Sequence, residues 1–146
     1  MIEKLNLIGA AAAHIILVSS ILTFALRMVA DTGTGHWTGI PILLMAVPLV
    51  YLLVRAPGAH RPVLYYIQVS LMLVWLIMLF LVDYYPKYNF RQTRWMVITF
   101  VVVFFGGTGG MIGVASLAGK GWTISAVVLF LASFVLAFVQ RSVTGY

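Results

Sequence analysis

Cysteine is absent from this 146-residue chain and acidic residues are scarce, and each shortage removes a class of chemistry. Without cysteine there are no disulfides, no iron–sulfur ligation and no thiol catalysis, and the redox compartment stays open. The acids number only three, Glu3, Asp31 and Asp83. They are too few to build a carboxylate metal site, so we predict no metal.

Charge of either sign is also scarce, because 8% of the residues are charged whereas 63% are hydrophobic. A water-soluble domain carries roughly 25% charged residues, since its surface faces water. This chain cannot coat a compact globule with polar side chains, so lipid must be the solvent for much of its surface. The net charge of +6 comes from cations scattered singly between apolar runs. Such cations are typical of anchors at lipid headgroups, and nucleic acid is not an expected partner.

The apolar runs predict an all-α fold, a polytopic integral membrane helical bundle that forms one transmembrane domain over residues 1–146. A spanning helix needs about 20 mostly apolar residues. The last run, 95–139, is long enough for two helices, and it breaks at Gly119-Lys120-Gly121. We therefore predict five transmembrane helices, at about 5–29, 37–54, 63–82, 95–118 and 122–139.

The second run is the shortest and contains Pro41 and Pro48. Pro41 suits a first helical turn, whereas Pro48 is expected to kink the helix. The alternative is therefore four spans plus a re-entrant second segment. In either case we expect a multi-pass protein of a prokaryotic inner membrane or a plasma membrane, in an orientation that the cations do not fix.

Small residues line one face of the fourth span. Gly106, Gly109, Gly110 and Gly113 share this face and form two overlapping pairs of the small-xxx-small type. Such faces let a neighbouring backbone approach closely, which drives helix association in lipid. The fifth span offers a matching face at Ala126, Ser133 and Ala137. The glycine face predicts packing within the chain, contact with another subunit, or a ligand or ion path beside exposed backbone.

His14 is the only histidine well inside a predicted span. An ionisable group at that depth is by default a candidate functional residue. The simpler interpretation is a neutral imidazole that hydrogen-bonds to a neighbouring helix. Haem ligation is the alternative, and it needs a second axial ligand. His36 and His60 lie at interfaces, so that ligand would come from a methionine or a partner subunit.

Asp83 ends the third span, and two cations are predicted to reach the same side of the membrane. Arg94 opens the fourth span and Arg27 lies near the end of the first. Asp83 can therefore pair with Arg94 or Arg27 and hold helix ends together. The alternative is a solvated carboxylate at headgroup depth.

Catalytic motifs are missing from the sequence, which contains no HExxH, no GxSxG and no paired intramembrane aspartates. We expect a protein that is not an enzyme and predict no cofactor. The leading hypothesis is a non-catalytic small subunit of a larger membrane complex, either a transporter or an electron-transfer assembly. The alternatives are a small transporter or channel acting as a homo-oligomer, and a membrane protein that binds haem or a lipophilic ligand. The expected partners are membrane lipids and other membrane subunits or further copies of this chain.

Overall fold

The protein is helical throughout the part of the chain that the structure describes. The computed structural model describes residues 1–29, 34–85 and 93–144, and their side chains except at 34–36, 83 and 144. No strand occurs in these ranges. The helices are α1 (Ile2–Val29), α2 (Thr34–Leu44), α3 (Ala46–Arg55), α4 (Val63–Asp83), α5 (Arg94–Ser116) and α6 (Lys120–Thr144), with a short 3-10 turn at Pro57–Ala59.

Helices α2 and α3 together form the second predicted span, which bends at Met45. Pro48 has no backbone N–H, so it cannot donate to the carbonyl of Leu44, and the helix breaks one turn before the proline. The segment nevertheless continues along α1. Thr38 hydrogen-bonds to Thr23 near one end of α1, and Leu52 packs against Gly9 near the other end.

Positions 9 and 23 are about 21 Å apart along a helix. A re-entrant segment would return to the end at which it started, whereas this one traverses the length of α1. Five helical segments of the described chain are long and apolar enough to cross a membrane, with the α2–α3 segment counted from Trp37 to Arg55. The predicted all-helical fold and its five long apolar helices are confirmed.

Helix α1 lies at the centre of the bundle and packs against α2, α3, α5 and α6. Its residues Ala10, Ala13, Ile16 and Leu17 are fully buried. Helix α5 runs antiparallel to α1, with Val114 beside Gly9 at one end and Phe104 against Phe24 at the other. The chain then reverses at Gly119, whose φ of +132° is a conformation that residues with a side chain rarely adopt.

The tightest helix contact joins α4 and α5, which share the most extensive interface of the fold. A Cβ atom on Gly107 would lie 2.6 Å from the Cβ of Trp75, and one on Gly110 would lie 2.8 Å from the backbone oxygen of Gln68. Only glycine permits this approach at these two positions. The aromatic rings of Phe100 and Phe104 then pack edge-on against the indole of Trp75.

Large apolar side chains cover the outside of the bundle. Helix α6 is the most peripheral, and among its described residues only Ala126, Ser133 and Gln140 are buried. Its opposite face exposes a continuous apolar row, made of Ile124, Val128, Leu131, Val135 and Phe138. Water-soluble monomers rarely expose large contiguous apolar surfaces.

We predict that Gly110→Ala destabilises the protein by about 1–2 kcal/mol. The added methyl group must displace the backbone of α4, because the nearest atom is the carbonyl oxygen of Gln68. Gly109→Ala is the matched control, since nothing lies within 4 Å of a Cβ at that position. That variant is expected to be as stable as the parent or slightly more stable, through the higher helix propensity of alanine. Reversible unfolding in mixed detergent measures both, and equal stability of the two variants would contradict the contact.

Candidate functional site

Three hydrogen bonds of the described residues join polar side chains in the first half of α1 to other parts of the fold. They involve Asn6, His14, Arg61 and Ser125, which we call the polar cluster. These residues come from α1, from the turn before α4 and from α6, so they tie three separate parts of the chain together. Polar side chains commonly join helices in this way where the surroundings are apolar.

His14 contacts polar atoms through both ring nitrogens. Its Nδ1 lies 2.8 Å from the carbonyl oxygen of Ala10, one turn earlier on α1. Its Nε2 lies 2.7 Å from the hydroxyl oxygen of Ser125 on α6. The indole of Trp122, also on α6, meets the imidazole ring at 84° with 4.8 Å between the ring centres. The half-buried imidazole is therefore held on three sides by its own chain.

The partners of His14 determine which nitrogen carries the proton. A carbonyl oxygen only accepts, so Nδ1 is the donor to Ala10. In the neutral ring Nε2 is then an acceptor, and the carbonyl oxygens of Gly121 and Trp122, at 3.0 and 3.1 Å, compete with it for the one hydroxyl proton of Ser125. A haem iron on Nε2 would have to displace this hydroxyl. The geometry therefore matches the simpler interpretation of His14, a histidine that hydrogen-bonds to a neighbouring helix.

Asn6 joins two further elements to the start of α1. Its side-chain amide donates to the carbonyl oxygen of Leu117 at the end of α5, at 2.9 Å. Its carbonyl oxygen accepts a hydrogen bond from the guanidinium of Arg61. One short amide thus holds the last turn of α5 and the entry to α4. A carbonyl in the last turn of a helix has no partner within the helix, and this amide supplies one.

Arg61 is half-buried, and its positive charge is not matched by an acid in the described part of the chain. Its guanidinium lies over the ring of Tyr65, 4.9 Å from the ring centre. Its Nε is buried and has no hydrogen-bond partner. Glu3 is the one acidic residue whose side chain the structure describes, and it is exposed and forms no ion pair with Arg61.

The predicted small-residue faces do not meet as a single pair. The atoms nearest to Gly106, Gly110 and Gly113 belong to Leu71 and Gln68 of α4. Gly109 is exposed, with open space where a side chain would stand. On α6, Ala126 and Ser133 are buried and Ala137 is half-buried. The closest glycine contacts of α5 are therefore with α4. The glycine face predicted from the sequence did not include Gly107, which makes one of these contacts.

The predicted ion pair falls partly outside the described residues. Arg94 is exposed at the start of α5, and Arg27 is half-buried in the last turn of α1. The side chain of Asp83 is not among those described, so its pairing stays a prediction. Within the described ranges, no group of three or more His, Cys, Asp or Glu residues is arranged to hold a metal ion.

An apolar groove of about 540 Å³ opens between the end of α4 and the start of α5, away from the glycine contact. Most of its lining residues are apolar, and Tyr85 and Thr99 contribute hydroxyl groups. The lining consists of Met78, Leu81, Val82, Tyr85, Trp95, Met96, Thr99 and Phe100.

Comparison with known proteins adds no identification: no family model, curated protein or solved structure matches the chain.

We predict that His14 and Ser125 are energetically coupled. In a double-mutant cycle, His14→Phe and Ser125→Ala should show a coupling of about 0.6–1.5 kcal/mol, the usual range for a hydrogen bond between apolar helices. Ser142→Ala is the control, because this exposed hydroxyl donates only to Phe138 of its own helix. Unfolding in mixed detergent measures the cycle. A coupling indistinguishable from that of His14 with Ser142 would contradict the contact.

Proposed function

We propose that this chain is an integral membrane protein that crosses the bilayer five times and serves as a non-catalytic small subunit of a larger membrane complex. The complex is a transporter or an electron-transfer assembly. In this role the chain supplies helix surfaces and positions its partners, and the reaction or the transport path belongs to them.

Membrane insertion is supported by the length and apolarity of the five helical segments together with the apolar outer surface. A helix in hydrocarbon satisfies its backbone internally and exposes apolar side chains, as these helices do. The exposed row on α6 is the clearest case, since Ile124 and Val128 are more than half exposed, at 65% and 59%. In water such a row would drive aggregation.

The observation that carries the subunit proposal is the division of the glycines of α5. Gly107 and Gly110 are used within the chain, against Trp75 and the backbone of Gln68. Gly109 does not contact α4 and is exposed, with no atom within 4 Å of where a Cβ would be. Exposed Ser116 follows two turns later on the same side, whereas the space beside Gly113 between them is filled by the side chain of Gln68.

The missing side chain at Gly109 leaves a notch in a surface of otherwise bulky apolar residues. Fluid lipid adapts to any surface shape, so the notch gives no advantage in contact with lipid. Against a second helix it permits close backbone approach, and the hydroxyl of a serine can hydrogen-bond across the contact. The polar cluster supports the same role, since both ring nitrogens of His14 contact atoms of this chain. This geometry is that of a structural contact that joins α1 to α6.

The test is the variant Gly109→Leu, which fills the notch without touching the interior. Because the space at Gly109 is open, we expect the variant to fold with the stability of the parent. We expect it to lose its partner chains in mild-detergent purification at native expression, with recovery reduced about tenfold or more. The control is Val135→Leu, a similar enlargement on the exposed face of α6.

Partner recovery that is unchanged by Gly109→Leu would contradict the proposed contact face. A parent protein that purifies as a monodisperse single protomer would contradict the subunit proposal as a whole. Assembly with copies of the same chain, combined with solute flux into liposomes, would favour the homo-oligomeric transporter instead.

A further inference from the structure

Two arginine–tyrosine pairs flank the turn between α3 and α4. Arg55, the last residue of α3, has its guanidinium 5.6 Å from the ring centre of Tyr51. Arg61, two residues before α4, lies 4.9 Å from the ring centre of Tyr65. In both pairs the arginine and the tyrosine are four residues apart in the sequence, and the arginine is the residue nearer to the turn. Each ring holds a flexible cation in one place, near the end of its helix.

Neither arginine has an acid to pair with among the described side chains. Arg61 donates to Asn6, which is neutral, and its buried Nε has no partner. Holding a half-buried cation without an opposite charge is costly, and an anion at its exposed edge lowers that cost. Lys4 and Lys120 add positive charge at the same end of the bundle, and Glu3 is the single described acid there.

An apolar surface begins directly beside the two pairs. The exposed apolar side chains are Val47, Val50, Tyr51 and Val54 on α3, and Val63, Leu64 and Ile67 at the adjacent start of α4. A bound molecule at this place therefore meets the cations first, then the exposed ring of Tyr51, and then hydrocarbon, whereas the ring of Tyr65 is buried beneath Arg61. A phospholipid presents complementary groups in the same order, from its charged headgroup to its acyl chains.

We propose that the α3–α4 turn holds one anionic glycerophospholipid. Its phosphate lies between Arg55 and Arg61, and its acyl chains lie on the exposed apolar surface of α3 and α4. Arginine suits this role because its planar guanidinium donates two parallel hydrogen bonds to phosphate oxygens. The inference rests on the proposed membrane location and adds to it a specific lipid site.

The test is native mass spectrometry of the purified full chain in mixed micelles that contain phosphatidylglycerol and phosphatidylcholine with identical acyl chains. The parent is expected to retain phosphatidylglycerol selectively. Arg55→Gln should lower this retention about tenfold, and Arg55→Gln with Arg61→Gln about 100-fold, because each change removes charge-assisted hydrogen bonds from a guanidinium to the phosphate. The matched control is Lys4→Gln with Lys120→Gln, which removes the same charge from the same end.

The proposal predicts that the lysine control changes retention less than twofold. An equal loss in the lysine and arginine variants would show general charge attraction and would overturn the site. Arg61 also binds Asn6, so Arg55→Gln alone, at an exposed position, keeps the test valid if the double variant unfolds. Displacement of the lipid by inorganic phosphate at equal concentration would overturn the lipid as ligand.

The outcomes separate the two proposals. Unselective lipid retention by a chain that still requires detergent overturns the lipid site and leaves the membrane subunit intact. A chain that stays folded and dispersed in buffer without detergent overturns both.

Discussion

The arrangement of this protein depends on the shortage of charge, which leaves the outside of every helix as apolar as its inside. In the proposed membrane location, burial of apolar surface would not decide which helix packs against which, because lipid solvates apolar outer faces equally well. Close backbone approach and a few hydrogen bonds must decide it. The approach at Gly107 and Gly110 fixes α4 against α5, and the polar cluster joins the first half of α1 to the start of α4 and to α6.

Features with a local cause could be predicted from the sequence. The five long helices follow from the lengths of the apolar runs, and the bend near Pro48 follows from the missing N–H of proline. The reversal at Gly119 follows from glycine between two apolar runs. The boundaries were less accurate, since α6 continues to Thr144 where the apolar run suggested an end at 139. The extra turn contains Gln140 and Arg141, whose polarity ends a hydropathy run without ending a helix.

Features that depend on distant residues could not be predicted. The period of an α-helix identified a glycine face on α5 but carried no information about which neighbour it meets, and the nearest atoms belong to α4. His14 was recognised as the one histidine inside a span, yet its partner Ser125 is 111 residues away. Asn6 in the first span and Arg61 in the turn before the third carry no local sequence signal, and only their contact across 55 residues makes them a pair.

The central claim, that five helices cross a bilayer, is tested most directly by labelling single cysteines, which the cysteine-free chain allows without further changes. Cysteines are placed one at a time at Glu3, Gly58, Thr93, Gly121 and Ser142, all exposed, and treated with an impermeant reagent on sealed vesicles. Five spans predict that 3, 58 and 121 react from one side, and 93 and 142 from the other. Reaction of position 3 from the same side as 93 and 142 would contradict five crossings, and reaction of all five positions from one side would contradict insertion.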